Sequence, residues 1–209
     1  MFTLLISFLV LIYSVILHEI AHGFVADRLG DPTARLSGRL TLDPRPHIDP
    51  LMTVALPLLL LLTGSHIIFG AARPVPIDPF NFREPKKDTA IVALAGPLTN
   101  LALALVAGLV LRLGGLFILD EGAYSVFAGI CLTTARLNAI LAVFNLFPLP
   151  PLDGFKVLMG VVSDRIAGQL AGLERFGFIL IFMVLIFFPE LIFGIIYPVV
   201  ETINKIFLP

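Results

Sequence analysis

The chain contains little of what soluble domains are rich in. Charged residues make up 14% of its 209 residues, against roughly a quarter in typical soluble domains. Hydrophobic residues reach 58%, and the mean hydropathy is +1.00. Basic residues are also scarce, with 14 Lys and Arg against 15 Asp and Glu, which gives no electrostatic basis for nucleic-acid binding. The composition therefore predicts a membrane protein without a nucleic-acid partner.

Cysteine is nearly absent, since Cys131 is the only one in the sequence. This excludes an intramolecular disulfide and a cysteine-rich metal site, so any metal ion must be held by His, Asp or Glu. The length suits one membrane domain but not a membrane domain plus a large soluble one. We therefore expect residues 1–209 to form a single integral-membrane domain.

Long apolar stretches are what the chain has in abundance. Each is close to the ~20 residues that a membrane-spanning helix needs. They cover roughly residues 2–27, 51–70, 88–112, 125–150 and 176–200. The pattern predicts an all-α membrane protein, a polytopic helical bundle with about four to six transmembrane segments.

The charges between these stretches predict the orientation of the bundle. Lys and Arg occur in segments 28–50, 71–88 and 151–175 but not in segment 113–124. The positive-inside rule then places the first three segments on the cytoplasmic side and the last one outside. This arrangement requires 51–70 to be a re-entrant segment, which enters the membrane and returns to the same side.

Two short pieces of chain, around Leu36–Leu42 and Arg73–Ile77, are expected to be extended. The prolines of the second piece prevent it from continuing a helix. We expect the two pieces to pair as a small β-ribbon at the cytoplasmic face. Non-helical backbone at that depth must lie against protein or line a water-filled cavity.

The sequence His18-Glu19-Ile20-Ala21-His22 lies inside the first apolar stretch. Residues four apart share a helix face, so both imidazoles can point at one metal ion. Glu19 is then close enough to polarise a metal-bound water. The alternative is a pair of buried histidines satisfied by neighbouring polar groups. Ionisable groups within a bilayer are costly and mark functional sites, which favours a zinc-type site.

Asp153 is the candidate third ligand, because a catalytic zinc needs three protein ligands and one open position. It follows a proline-rich turn within Asn145–Gly154, and such a turn holds a ligand still. On residue type alone, capping a helix that begins near Phe155 is an equal alternative. If Asp153 does bind the metal, it must lie on the same side as the histidines, which again requires a re-entrant 51–70.

Two more polar residues are candidates for contact with a substrate. Asn100 lies just after Gly96-Pro97 in an apolar helix; it either bonds to a neighbouring helix or donates to a substrate carbonyl or an oxyanion. His47 could line the same site, although a lone loop histidine is more often a solvated or capping residue.

Taken together, these motifs resemble the site-2 protease family of intramembrane zinc metalloproteases. The resemblance covers roughly residues 10–160, and the C-terminal helices of 160–209 lie outside it. It rests on the following motifs: His18-Glu19-Ile20-Ala21-His22, Gly38-Arg39-Leu40-Thr41-Leu42, Ala72-Arg73-Pro74-Val75-Pro76, Ala95-Gly96-Pro97 with Asn100, and Asn145 to Gly154.

The resemblance implies one Zn²⁺ per chain, held by His18, His22 and Asp153, with Glu19 as the general base that activates the zinc-bound water. Asn100 would position the substrate or stabilise the reaction intermediate.

The implied activity is endopeptidase cleavage of transmembrane segments, in a multi-pass protein of the cell membrane whose active site lies near the cytoplasmic side. The implied partners are a transmembrane protein or peptide substrate and the lipid bilayer. Two alternatives are a metal-binding transporter and a catalytically silent scaffold that keeps the metal for stability. A transporter would need further polar ligands across the bilayer, whereas the outer halves of these helices are nearly all apolar.

Overall fold

A computed structural model of the protein describes residues 2–63, 70–114, 117 and 120–207, and all regular structure in these ranges is helical. The α-helices are α1 (Phe2–Leu29), α2 (Thr33–Leu36), α3 (Leu56–Leu62), α4 (Pro85–Gly114), α5 (Glu121–Asn145), α6 (Asp153–Val161), α7 (Asp164–Leu170), α8 (Gly177–Phe187) and α9 (Pro189–Phe207). Short 3-10 or π-helical turns lie between them at Arg45–His47, Pro50–Ala55, Pro79–Asn81 and Ala171–Phe176.

Within the described ranges, four helical segments are long and apolar enough to cross a membrane: Leu5–Leu29, Pro85–Gly114, Glu121–Asn145 and Asp164–Phe187. The last of these joins α7, the turn after it and α8. Large apolar side chains such as Leu9 on α1 and Leu109 on α4 are about half exposed, as expected of surfaces that face lipid. The prediction of a multi-pass helical membrane protein is confirmed.

Helix α4 is the centre of the bundle and packs against α1, α5 and α6. Its buried positions are mainly small residues, among them Ala93, Gly96 and Ala104. Small residues let helix backbones approach closely, which is how helices associate where the surrounding lipid removes the hydrophobic driving force. The close packing of α4 brings its backbone next to the polar residues of α1.

The last apolar stretch, predicted as one segment over 176–200, is divided in two. Helix α8 ends at Phe187 and α9 begins at Pro189, with Phe188 between them at φ −134° and ψ 48°. The residue before a proline is pushed out of the α region by the pyrrolidine ring, which explains the break. Helix α9 packs against α5.

The predicted β-ribbon is not formed, although both of its strands, 36–42 and 73–77, lie within the described residues. The first piece contains the end of α2 and a turn at Gly38, whose φ of 67° is not that of a strand. In the second piece, Pro74 and Pro76 have no N–H to donate to a ladder.

A side chain joins these two pieces instead. The guanidinium Nη2 of Arg39, a buried residue, donates to the carbonyl of Arg73 at 2.6 Å. The Arg73 N–H in turn donates to the carbonyl of His47 at 2.9 Å. The segment around residues 70–77 is thus held against the loop before it without strand pairing.

The stretch predicted to be re-entrant is described up to Thr63 and again from Gly70; residues 64–69 lie outside the described part of the chain. The Ala71 N–H donates to the Met52 carbonyl at 3.2 Å, and the Thr53 hydroxyl donates to the Ala71 carbonyl at 2.7 Å. The chain therefore comes back at residue 71 to the point that it left at residue 53.

Asp31 joins the end of α1 to the turn at Pro79–Asn81. Its fully buried carboxylate accepts hydrogen bonds from the Thr33 N–H and hydroxyl, from the Asp78 N–H at 2.8 Å and from the Asn81 amide at 2.8 Å. Burial by itself would raise the pKa of Asp31, but these hydrogen bonds outweigh it and hold the pKa below its ordinary value.

A lowered pKa means that Asp31 contributes to stability above its unfolded pKa of ~3.9 and that this contribution is lost as the pH falls through its folded value. We expect Asp31→Asn to lower the free energy of unfolding by about 1.5–3 kcal/mol at pH 7 and to weaken its dependence on pH below about 4. Thermal unfolding in detergent across this pH range measures both effects. Asp27→Asn is the matched control, because Asp27 pairs with an exposed Arg35 and should change stability little.

Candidate metal centre

Helix α1 carries the first two residues of the centre. His18 and His22 are each 6% exposed, and their Nε2 atoms lie 3.0 Å apart. Their separation of four residues places them on one face of the helix, as predicted from the spacing. The Nε2 atoms of both rings therefore face the same small space between the helices.

Asp153 is brought to this point by the turn after α5. Its Oδ2 lies 3.0 Å from His18 Nε2 and 3.2 Å from His22 Nε2. Helix α6 begins at Asp153, and its N-cap residue Leu152 forms no side-chain cap. The carboxylate thus points to the histidines rather than to the N–H groups that a capping residue would bind.

Gly154 makes the approach of Asp153 possible. A Cβ atom at residue 154 would lie 2.1 Å from the Leu146 carbonyl oxygen and 2.5 Å from that of Phe147. The start of α6 therefore folds directly onto the end of α5, which is why a glycine follows the aspartate. This contact fixes the position along α1 that the Asp153 carboxylate reaches.

The outer nitrogens of the two imidazoles each face an oxygen. His18 Nδ1 lies 2.6 Å from Asn100 Oδ1, and His22 Nδ1 lies 2.7 Å from the Val92 carbonyl. Both oxygens can only accept, so each ring carries its proton on Nδ1. The Nε2 atoms of the neutral rings consequently turn unprotonated lone pairs toward Asp153.

Three hydrogen-bond acceptors therefore converge: two imidazole nitrogens and one carboxylate oxygen, with pairwise separations of 3.0 to 3.2 Å. Acceptors cannot satisfy one another, so a proton or a metal cation must lie between them. Zinc is bound by nitrogen and carboxylate oxygen at about 2.0–2.2 Å in tetrahedral geometry, for which ligand atoms lie about 3.3 Å apart. The donor set and spacing of His18, His22 and Asp153 fit a zinc ion.

Gly96 on α4 closes the other side of the centre. A Cβ atom at this position would lie 2.5 Å from His22 Nε2 and 2.6 Å from His18 Nε2. The backbone of α4 thus lies directly against the imidazoles. A glycine at this position is therefore what allows α4 to pack so closely against α1.

A cavity of about 520 Å³ opens onto the centre. Glu19 lines it together with both histidines and Asp153, and apolar residues such as Val15, Leu141 and Phe144 form much of the remaining wall. The Glu19 carboxylate is half-buried and accepts a hydrogen bond from the Val75 N–H at 2.8 Å. The segment 70–77 is thus tied to the residue predicted to act as the base.

Asn100 and His47 are not among the residues that line this cavity. Asn100 is fully buried behind His18. His47 is buried in the loop after α2, where its Nε2 donates to the Thr41 carbonyl at 3.0 Å. Their predicted contact with a substrate stays a prediction, and the geometry assigns each of them other partners.

The cavity wall also contains Lys156 and Glu174, which were not predicted as site residues, and Asn145, which was named only as the start of the proline-rich motif. Lys156 could have been found by its position one turn after Asp153. Glu174 comes to the cavity through the folding of the chain after α7, which leaves no local signal.

The position of Gly96 gives a direct prediction. Gly96→Ala adds a methyl group where both imidazoles lie, so we expect it to weaken zinc binding by at least 10-fold, the scale seen when support of a metal ligand is lost. A chelator competition assay on purified protein measures the change. Gly129→Ala on α5 is the control, because a Cβ there meets nothing within 4 Å; equal loss in both variants would contradict this interpretation.

The chain resembles curated proteins that are named as candidate zinc metalloproteases. It is 38% identical over 184 residues to YwhC of Bacillus subtilis (strain 168), which covers 86% of this chain and 78% of the relative. It is 33% identical over 188 residues to Rip2 of Mycobacterium tuberculosis (strain H37Rv), covering 88% and 68%.

No family model matches the chain, and no solved structure matches it. The identity to the curated relatives nevertheless extends over most of both chains. The chain belongs to the site-2 protease family, a family of zinc metalloproteases.

Proposed function

We propose that the chain is a zinc-dependent intramembrane endopeptidase, which cleaves transmembrane segments of other membrane proteins. The observation that carries the proposal is the convergence of His18, His22 and Asp153, through three acceptor atoms, in a cavity that also contains Glu19. Because the cavity lies within a bundle of apolar helices, a substrate that reaches it would come from the bilayer.

A zinc ion bound by these three residues would supply Lewis acidity and make water nucleophilic near pH 7. Glu19, which lines the cavity and follows His18 on α1, would accept a proton from the attacking water and later give it to the leaving nitrogen. The water oxygen first forms the new C–O bond, and the scissile C–N bond then breaks as its nitrogen takes up the proton. The hydrogen bond from Val75 to Glu19 Oε2 keeps the carboxylate oriented during these transfers.

The substrate would bind in an unwound form, since a peptide bond in a helix is shielded by its own hydrogen bonds. The segment 70–77 lines the cavity and lies beside Glu19, so we propose that it guides the substrate chain by main-chain pairing. The apolar wall formed by Val92, Leu141 and Phe144 suits the apolar side chains of a membrane segment.

We further propose that 51–70 is re-entrant and that the active site lies near the cytoplasmic side. The hydrogen bonds that join Ala71 to Met52 and Thr53 support this proposal, because both ends of the segment meet. A helix that crossed the bilayer would separate its ends by about 30 Å. The Lys and Arg residues of 28–50 and 71–88 support the cytoplasmic side.

Replacing Glu19 separates catalysis from metal binding. We expect Glu19→Gln to lower the cleavage rate of a transmembrane peptide in proteoliposomes by about 10²–10⁴-fold, because the general base is lost, while one zinc ion per chain stays bound. Asp153→Ala should lose both activity and zinc, as measured by metal analysis. Glu190→Gln, an exposed acid outside the cavity, is the control. Cleavage by Glu19→Gln at the wild-type rate would overturn the proposal.

Single exposed cysteines test the topology. The native Cys131 is 6% exposed, so the parent chain should react little with a membrane-impermeant maleimide. We expect Ser37→Cys and Arg83→Cys to be labelled from the cytoplasmic side, and Ala123→Cys from the outside; all three positions are exposed. Labelling of residues 37 and 83 from opposite sides would show that 51–70 crosses the membrane.

A further inference from the structure

A chain of buried polar side chains runs through the bundle and ends at His18. Asn138 on α5 donates from its Nδ2 to the Ser14 hydroxyl at 2.8 Å and to the Thr134 carbonyl at 2.9 Å. Asn100 on α4 donates from its Nδ2 to Asn138 Oδ1 at 2.9 Å. Asn100 Oδ1 then lies 2.6 Å from His18 Nδ1, and both asparagines are fully buried.

The direction of every hydrogen bond in this chain follows from its first member. The Thr134 carbonyl can only accept, so Asn138 must turn its NH₂ group toward it and its Oδ1 toward Asn100. Asn100 must then present NH₂ to Asn138 and its Oδ1 to His18. His18 must therefore carry its proton on Nδ1, which leaves Nε2 free for a metal ion.

We propose that Asn138 and Ser14 are positioning residues for the metal centre, which act through Asn100 to fix the tautomer and the ring orientation of His18. The inference rests on the proposed zinc site. Ser14 lies four residues before His18 on α1, so the network leaves α1 at Ser14, passes through α5 and α4, and returns to the same helix at His18. Neither Asn138 nor Ser14 lines the cavity.

His22 provides the contrast within the same site. Its Nδ1 faces the Val92 carbonyl, a main-chain oxygen that cannot exchange places with a donor. The amide of Asn100 can rotate by half a turn and present its NH₂ group to His18 instead. His18 would then hold its proton on Nε2, toward Asp153, and could not bind a metal there. His18 alone of the two histidines depends on a side chain that must be kept in one orientation.

Zinc affinity in detergent micelles, measured by chelator competition, gives the first test. We expect Asn138→Leu to bind zinc about 10- to 100-fold more weakly, the range for loss of a group that supports a metal ligand. Ser14→Ala should lose less, because the Thr134 carbonyl still orients Asn138. Thr134→Val is the matched control: it removes a hydroxyl that bonds only to the Ile130 carbonyl among described residues and keeps the carbonyl that the network uses.

The tautomers give a second test that does not require zinc or activity. Nitrogen-15 NMR of histidine-labelled, zinc-free protein at a pH where the rings are neutral should show His18 and His22 of the wild type protonated on Nδ1. In Asn138→Leu, we expect His18 to become a mixture of tautomers while His22 keeps its Nδ1 proton. An unchanged His22 signal also reports that α1 and α4 remain packed.

These outcomes distinguish the inference from the function on which it rests. Asn138→Leu with wild-type zinc affinity and an unchanged His18 would overturn the positioning role, as would equal changes at His18 and His22, which would show a general loss of structure. A wild-type protein that binds no zinc would overturn the proposed function, while the tautomer of His18 would still test the network.

Discussion

Mutual repulsion among three acceptors is the constraint on which the structure depends. His18, His22 and Asp153 present lone pairs to one another at about 3 Å, in a low-dielectric interior where unpaired polar groups are expensive. A metal cation between its members would stabilise such a cluster, and its binding would then be coupled to folding of the bundle. The surrounding residues either bring an acceptor to the cluster or orient the imidazole rings so that their Nε2 atoms face Asp153.

Three helices contribute different parts of this cluster and its surroundings. Helix α1 supplies two of the clustered acceptors through its own periodicity, and the start of α6 supplies the third because Gly154 lets it fold onto the end of α5. Helix α4 supplies none of the three clustered acceptors, yet it contacts both imidazoles. Its backbone at Gly96 lies against both rings, while the Val92 carbonyl and Asn100 Oδ1 accept hydrogen bonds from their Nδ1–H groups.

The features that could be predicted from the sequence are those that depend on local helix geometry or on topology. The pairing of His18 with His22 depends only on the helix repeat, so the motif predicts it directly. The approach of Asp153 depends on topology, which charge bias and ligand chemistry together constrained. The partner of Asn100 could not be predicted, because an amide in an apolar helix has the same local pattern whether it faces a substrate or another side chain. Pro189 is a local signal for the break between α8 and α9, but a prediction from hydropathy alone does not detect it because the stretch is apolar on both sides.

The segment that touches Glu19 has a consequence for what can be recognised beside it. Pro74 and Pro76 have no N–H, the Val75 N–H is used by Glu19, and the Arg73 N–H is used by His47. From residue 73 to residue 76, this stretch therefore offers a ligand chain carbonyl oxygens and no donors. It is an edge of a single polarity: a peptide laid along it must bring its own N–H groups, and a proline at a pairing position of that peptide would remove the hydrogen bond.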